Sequence, residues 1–157
     1  MRIALIVALL ALALVPASAA AGKRDSPVWA TVNVCDTAKQ PEAVGIRASM
    51  PGTPKGARLS MRFRVQYRTG DGGWKDVARA DSGWRVVGTG RGAPVESGWS
   101  FNFAKPAKPV TLRGVVRFRW RRGDSLPRNA ELATEAGHRS SAGADPQDYS
   151  AATCVLS

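Results

Sequence analysis

The chain has 157 residues, 23 Lys and Arg against 12 Asp and Glu, a net charge of +11, two cysteines and one histidine. That length is one domain's worth of sequence, and so few Cys and His side chains exclude a dense metal-ligand cluster. A protein this basic is drawn to acidic polymers, anionic lipid surfaces or nucleic acid by a screened, unspecific attraction.

Arg2 precedes an unbroken apolar run from Ile3 to Val15, followed by Pro16 and the small residues Ala17, Ser18 and Ala19. This is the pattern of a secretory signal peptide, taken as residues 1–20. The run falls short of the roughly 20 residues of a spanning helix, so an uncleaved anchor is the weaker reading. No second apolar segment follows, no cysteine succeeds the run to take a lipid, and only Val155, Leu156 and Ser157 lie beyond Cys154. The expected product is secreted, extracellular or held to the cell envelope by contacts, with no membrane span after cleavage. Residues 21–27 are small, polar and charged and read as a flexible lead-in to a single domain over 28–157.

Few aliphatic side chains and a high charge are features shared with disordered chains. Five tryptophans and two tyrosines offset that scarcity, because an aromatic ring buries about 150 to 250 Å². Order also shows in alternation. Val28, Ala30, Val32 and Val34 fall on one side of 28–35, and Trp29, Thr31, Asn33 and Cys35 on the other, which predicts a short strand. After turn-like residues 36–41, Val44, Ile46, Ala48 and Met50 alternate until Pro51 and Gly52 stop the ladder.

The clearest strand is 59–68. Leu59, Met61, Phe63, Val65 and Tyr67 point one way, and Ser60, Arg62, Arg64, Gln66 and Arg68 the other. Residues 69–73 carry three glycines that accept positive φ, so the chain reverses and returns through 74–79 as a hairpin. Residues 80–109 are rich in Gly and Pro and hold two apolar islands, 84–87 and 99–103, each predicted as a short strand. In 110–121, Leu112, Val116, Phe118 and Trp120 turn inward, and Arg113, Val115, Arg117, Arg119 and Arg121 outward. A turn at 122–125 leads to 129–136, predicted as a return strand with a short helix as the alternative. Residues 137–149 are irregular, and 150–156 read as a last strand carrying Cys154.

Seven or eight short strands without a long helix predict an all-β, two-sheet antiparallel sandwich of the immunoglobulin-like class. Phe63-Arg64-Val65-Gln66-Tyr67-Arg68, the glycine turn and Trp74-Lys75-Asp76-Val77 resemble the central hairpin of fibronectin type III domains. The strand 112–120, a leucine leading into alternating aromatics, is similar to their penultimate strand. The resemblance implies that 59–68 and 110–121 are neighbours in one sheet. The tail from Gly137-His138-Arg139 to Ala151-Ala152-Thr153-Cys154 also resembles secreted bacterial proteins of unknown function.

Cys35 and Cys154 lie near the two ends of the expected domain, and export places them where thiols oxidise. They are expected to form a disulfide, restricting the unfolded chain by roughly 4 to 5 kcal/mol on the loop-entropy model. His138, with Ser140, Ser141 and Asp145 near it in sequence, lacks the positioned nucleophile and oxyanion hole of a hydrolytic triad. No Gly-x-Ser-x-Gly elbow is present, and Gly88-Thr89-Gly90-Arg91-Gly92 lacks the Lys-Ser/Thr and helix of a phosphate loop. No catalytic residue, metal or cofactor is therefore expected.

The arginines are the most informative constellation. If the two best strands are neighbours, Arg62, Arg64, Arg68, Arg113, Arg117, Arg119 and Arg121 share one sheet face and offer planar, bidentate binding to phosphate, sulfate or carboxylate. An acidic envelope polymer is the expected partner, met by a monomer. The competing reading is a solvated face neutralised in place, with Glu131 opposite Arg119 and Glu135 diagonal to Arg117. A second binding reading uses Trp84 and Trp99 in the glycine-rich region as stacking platforms for a sugar. An extracellular hydrolase is third.

Overall fold

The computed structural model describes residues 28–157 apart from Pro54 and Leu126, so the signal peptide over 1–20 and the lead-in over 21–27 lie outside the described residues. The described residues form nine strands and no helix: β1 (Trp29–Thr37), β2 (Gln40–Met50), β3 (Ala57–Arg68), β4 (Lys75–Asp81), β5 (Arg85–Gly90), β6 (Val95–Asn102), β7 (Val110–Arg121), β8 (Arg128–Ala133) and β9 (Cys154–Leu156). Nine exceeds the seven or eight expected. The helical alternative for 129–136 is overturned, since β8 pairs with β7 from Arg128 to Ala133.

The strands make two antiparallel sheets. One has three strands in the order β1-β2-β6; the other has six, with β4-β3-β7-β8 as its path, β5 added to β3 and β9 to β7. One edge of β3 serves two partners, because β4 pairs with Arg64 to Tyr67 and β5 with Ala57 to Met61. Ser82 fills the gap between them: its backbone N–H donates to the Phe63 carbonyl and its hydroxyl accepts from the Phe63 N–H, both at 2.9 Å. The chain then crosses from β5 in the large sheet to β6 in the small one through the turn after Gly90.

The core lies between the sheets. Val32, Val44, Ile46 and Met50 of the small sheet meet Leu59, Met61, Phe63, Val65, Val116 and Phe118 of the large one, all at 1% exposure or less. Gly114 of β7 faces Ile46 of the small sheet. A Cβ there would lie 2.7 Å from both Ile46 Cδ1 and Thr134 Cγ2, so only glycine lets the two layers meet at that point.

The disulfide between Cys35 and Cys154 is present, with Cα atoms 5.4 Å apart, and it joins β1 of one sheet to β9 of the other. The simple alternation expected for 28–35 would have put Cys35 on the side away from Val32. A register shift between Val32 and Val34 corrects this, since Val32 pairs with Ile46 but Val34 with Gly45. The extra residue, Asn33, reverses the alternation, and Cys35 packs against the core. Bulges re-aim side chains in this way. Gly45 accommodates it, because a Cβ there would stand 2.8 Å from Val34 Cβ and 2.9 Å from Asn33 Oδ1.

The single strand expected over 150–156 is divided between the two sheets. Ala151 bridges to Val32 of β1, with reciprocal hydrogen bonds of 3.0 Å, whereas Cys154 pairs with Leu112 of β7. Upstream, Asp145 lies parallel to Val34, and its carboxylate accepts from Thr37 and Gln40. The segment 142–151 therefore covers the otherwise open edge of β1, which accounts for the burial of Thr31 and Asn33 on its outer side.

Candidate functional site

Strands β3 and β7 are in unbroken register from Arg58 opposite Arg121 to Arg68 opposite Thr111. Side chains alternate along a strand, so one register places Arg62, Arg64, Arg68, Arg113, Arg117, Arg119 and Arg121 on one outer face. The structure thus brings together all seven arginines singled out in the sequence. Arg62 stands directly opposite Arg117, an arrangement that repels unless an anion intervenes.

Carboxylates from the flanking strands intervene at the centre. Asp81 at the end of β4 takes a two-pronged contact from the Arg62 guanidinium. Glu131 of β8 accepts from Arg117 and, at 3.1 Å, from Arg64, whose other nitrogen lies 3.3 Å from Asp76. The hydrogen bond from Arg62 holds the Asp81 carboxyl below the ordinary range, against a smaller opposing effect of burial and with help from the Gly83 N–H. The same contact raises the Arg62 guanidinium. These pairs are solvent-exposed, where a single ion pair contributes little, and the shared acceptors give them the character of a network.

The remaining arginines have neutral partners or none. Arg113 donates twice to Gln66 Oε1, at 2.9 and 2.7 Å, and lies 4.3 Å from the centre of the Trp74 ring, which it shares with Arg68 at 4.9 Å. Partial burial and the neighbouring Arg68 charge lower the Arg113 guanidinium. Arg119 sits 3.8 Å over Trp84 and donates to Asn129 Oδ1 at 3.3 Å. The Arg121 guanidinium has no hydrogen bond, ion pair or ring contact among the described residues. Three carboxylates therefore answer seven guanidinium groups.

The neutralisation runs through different pairs from those expected. Glu131 faces Arg117, and Asn129 faces Arg119, a register displaced by two residues toward the turn. An even displacement keeps Glu131 on the arginine side, which is why the network forms nonetheless. Glu135 lies beyond β8. Its backbone N–H donates to the Ala30 carbonyl of the small sheet at 2.8 Å, and its carboxylate contacts His138 instead of Arg117.

The two tryptophans singled out as sugar platforms are half-buried, and each carries a guanidinium over its ring: Arg119 over Trp84, and Arg85 over Trp99 at 4.1 Å. They are not brought together, because Trp99 is on β6 of the small sheet and Trp84 precedes β5 of the large one. A shallow groove of about 470 Å³ runs beside Trp84, lined also by Arg119, Asn129 and Glu131. His138 stacks on Trp29 with ring centres 4.5 Å apart, and its Nε2 lies 3.3 Å from Glu135. Its ring has no hydrogen bond to Ser140, Ser141 or Asp145. Among the described residues no three His, Cys, Asp or Glu side chains are placed to hold a metal, and no helix is long and apolar enough to cross a membrane.

Sequence reasoning missed Arg58, which continues the outward parity of Arg62 and Arg64 but lies one residue before the strand predicted over 59–68. It also missed Gln66, Trp74 and Asp76, the neutral and acidic members that link the network. Compared with protein-family models, curated proteins and solved structures, the chain matches none.

Proposed function

We propose that this protein is a secreted, monomeric, non-catalytic binding module of the bacterial envelope, a fibronectin type III-like sandwich that holds an acidic polymer on the outer face of its larger sheet. The observation carrying the reading is the imbalance on that face, seven arginines in register against the carboxylates of Asp76, Asp81 and Glu131. The central ion pairs orient part of the array, while Arg68, Arg119 and Arg121, without carboxylate partners, remain available to phosphate, sulfate or carboxylate groups. Strand order supports the fold assignment, because the immunoglobulin-like class sets its strands A, B and E against C, F and G, as β1, β2 and β6 here stand against β3, β7 and β8. Export is supported by the disulfide, a bond that persists in oxidising compartments.

The test is retention on a sulfated polysaccharide matrix eluted with salt. Arg68→Ser, Arg117→Ser and Arg119→Ser together are compared with Lys39→Ser, Lys105→Ser and Lys108→Ser, which remove the same charge from exposed positions elsewhere. The face variant elutes at clearly lower salt than the control if the face makes the contact; equal shifts would reduce the attraction to net charge alone. For the sugar reading, Trp84 and Trp99 would each have to give up a guanidinium or use the other ring face, so fluorescence titration with neutral glycans should be silent.

A further inference from the structure

Two rungs of the β3·β7 ladder set arginine directly against arginine, and the chain treats them differently. At Arg62 and Arg117 each guanidinium has a carboxylate, Asp81 or Glu131. At Arg58 and Arg121 neither guanidinium has a hydrogen bond, ion pair or ring contact among the described residues. Like charges placed directly opposite across a ladder are destabilising.

The sheet ends at this second rung. β5 brings Thr89 opposite Arg58 on its other side, so a row of Thr89, Arg58 and Arg121 crosses three strands. The turn after β5 adds Arg91 and the turn after β7 adds Arg122. These four arginines and Thr89 line a cleft of about 510 Å³ that contains no acidic residue. Asp124, in the same turn as Arg122, is not in the lining and makes no ion pair with a described residue. Gly56 forms part of the wall at φ +69°, with Arg91 Cγ and Nε 3.5 Å from where its Cβ would stand. The arginine chain thus lies across a position that carries no side chain.

We infer that this cleft is an anion-binding site for a phosphate or sulfate ester group, held by the Arg58, Arg91, Arg121 and Arg122 guanidinium groups and the Thr89 hydroxyl. A tetrahedral oxyanion presents several acceptor edges, which suits guanidinium donors converging from different strands, and it supplies the charge that Asp81 and Glu131 supply at the other rung. The volume exceeds one oxyanion and leaves room for the units that flank it on a chain. The site deepens the polymer reading by naming its anchor, yet its affinity for a small anion stands independently of any polymer.

The experiment is titration of the ¹⁵N-labelled protein with pyrophosphate and, separately, with a sulfated disaccharide, at constant ionic strength set with chloride. The expected result, in at least one arm, is saturable shifts at Gly56, Thr89 and Gly123. Arg58→Gln together with Arg121→Gln should weaken the binding about tenfold or more, while Lys105→Gln with Lys108→Gln, which removes the same charge from exposed positions elsewhere, binds as the wild type does. In chloride alone the Arg58/Arg121 variant should melt no lower than wild type, because it removes a repulsion, so a folding defect does not mask the answer. Absence of saturable shifts in both arms, or equal binding by all variants, would overturn the site. Failure here with polymer retention still lost in the Arg68/Arg117/Arg119 variant would leave the face reading in place. Binding here without any face-dependent retention would leave the cleft and remove the polymer.

Discussion

Arg62 of β3 and Arg117 of β7 face each other across the ladder, and each is held by a carboxylate from the next strand outward, Asp81 on β4 and Glu131 on β8. Repulsion at the centre of the sheet is thereby converted into a clamp on its two flanking strands. Glu131 carries more of this than Asp81, since it serves Arg64 as well as Arg117.

Glu131→Gln should accordingly lower stability by about 1 kcal/mol, more than a typical exposed ion pair and less than a buried one. Urea denaturation followed by tryptophan fluorescence measures it. A variant as stable as wild type would mean that the network is a surface ornament without mechanical consequence.

Asp81 links the same clamp to pH. Its folded value lies below the ordinary 3.8, chiefly through Arg62. Its stabilising contribution is therefore complete above the unfolded value and is lost as pH falls through the folded one. Thermal midpoints of wild type and Asp81→Asn should differ at neutral pH and converge in acid below the ordinary carboxylate range; a constant gap would remove Asp81 from the account.

Replacing Cys35 and Cys154 by serine should cost roughly 4 kcal/mol, since the bond closes a loop across a sequence separation of 119 residues. Chemical denaturation of the double variant, and of wild type with reductant, should agree. Loss below about 1 kcal/mol would show that the strap over β1 secures the two sheets without the bond.

Gly114→Ala introduces a methyl group 2.7 Å from Ile46 Cδ1, across the layers, and from Thr134 Cγ2. A cost of about 2 kcal/mol is expected from overpacking. Gly73→Ala, in a turn with nothing within 4 Å of the added group, should be close to neutral. Comparing the two denaturation midpoints separates sheet-to-sheet approach from a general dislike of losing glycine.

The parts of the fold that were legible in the sequence are those ruled by period two. Arg62, Arg64, Arg117 and Arg119 alternate with fully buried Met61, Phe63, Val116 and Phe118, and the shared face follows from that parity together with the strand neighbourhood that the fibronectin type III resemblance implies. What parity does not contain is register. Glu131 opposite Arg117 instead of Arg119 depends on the turn after Arg121, which the side-chain pattern leaves undetermined. Nor does it reveal a bulge: simple alternation puts Cys35 on the side away from Val32, and the extra residue Asn33 reverses that. The cleft arginines Arg91 and Arg122 were hidden for a related reason: both sit in turns, where only tertiary packing decides what they approach. Parity is equally silent on partners: β3 shares one edge between β4 and β5, and the C-terminal segment divides itself between both sheets.

The central claim concerns a place on the molecule as well as a charge, so the most direct measurement is one that reports place. Amide shifts of the ¹⁵N-labelled protein, titrated with a sulfated oligosaccharide of several units, should move along the outer positions of β3 and β7, from Arg68 to Arg58 and from Arg113 to Arg121. Sites on β1, β2 and β6 should stay still. Shifts spread evenly over both sheets, or confined to the smaller one, would contradict the account.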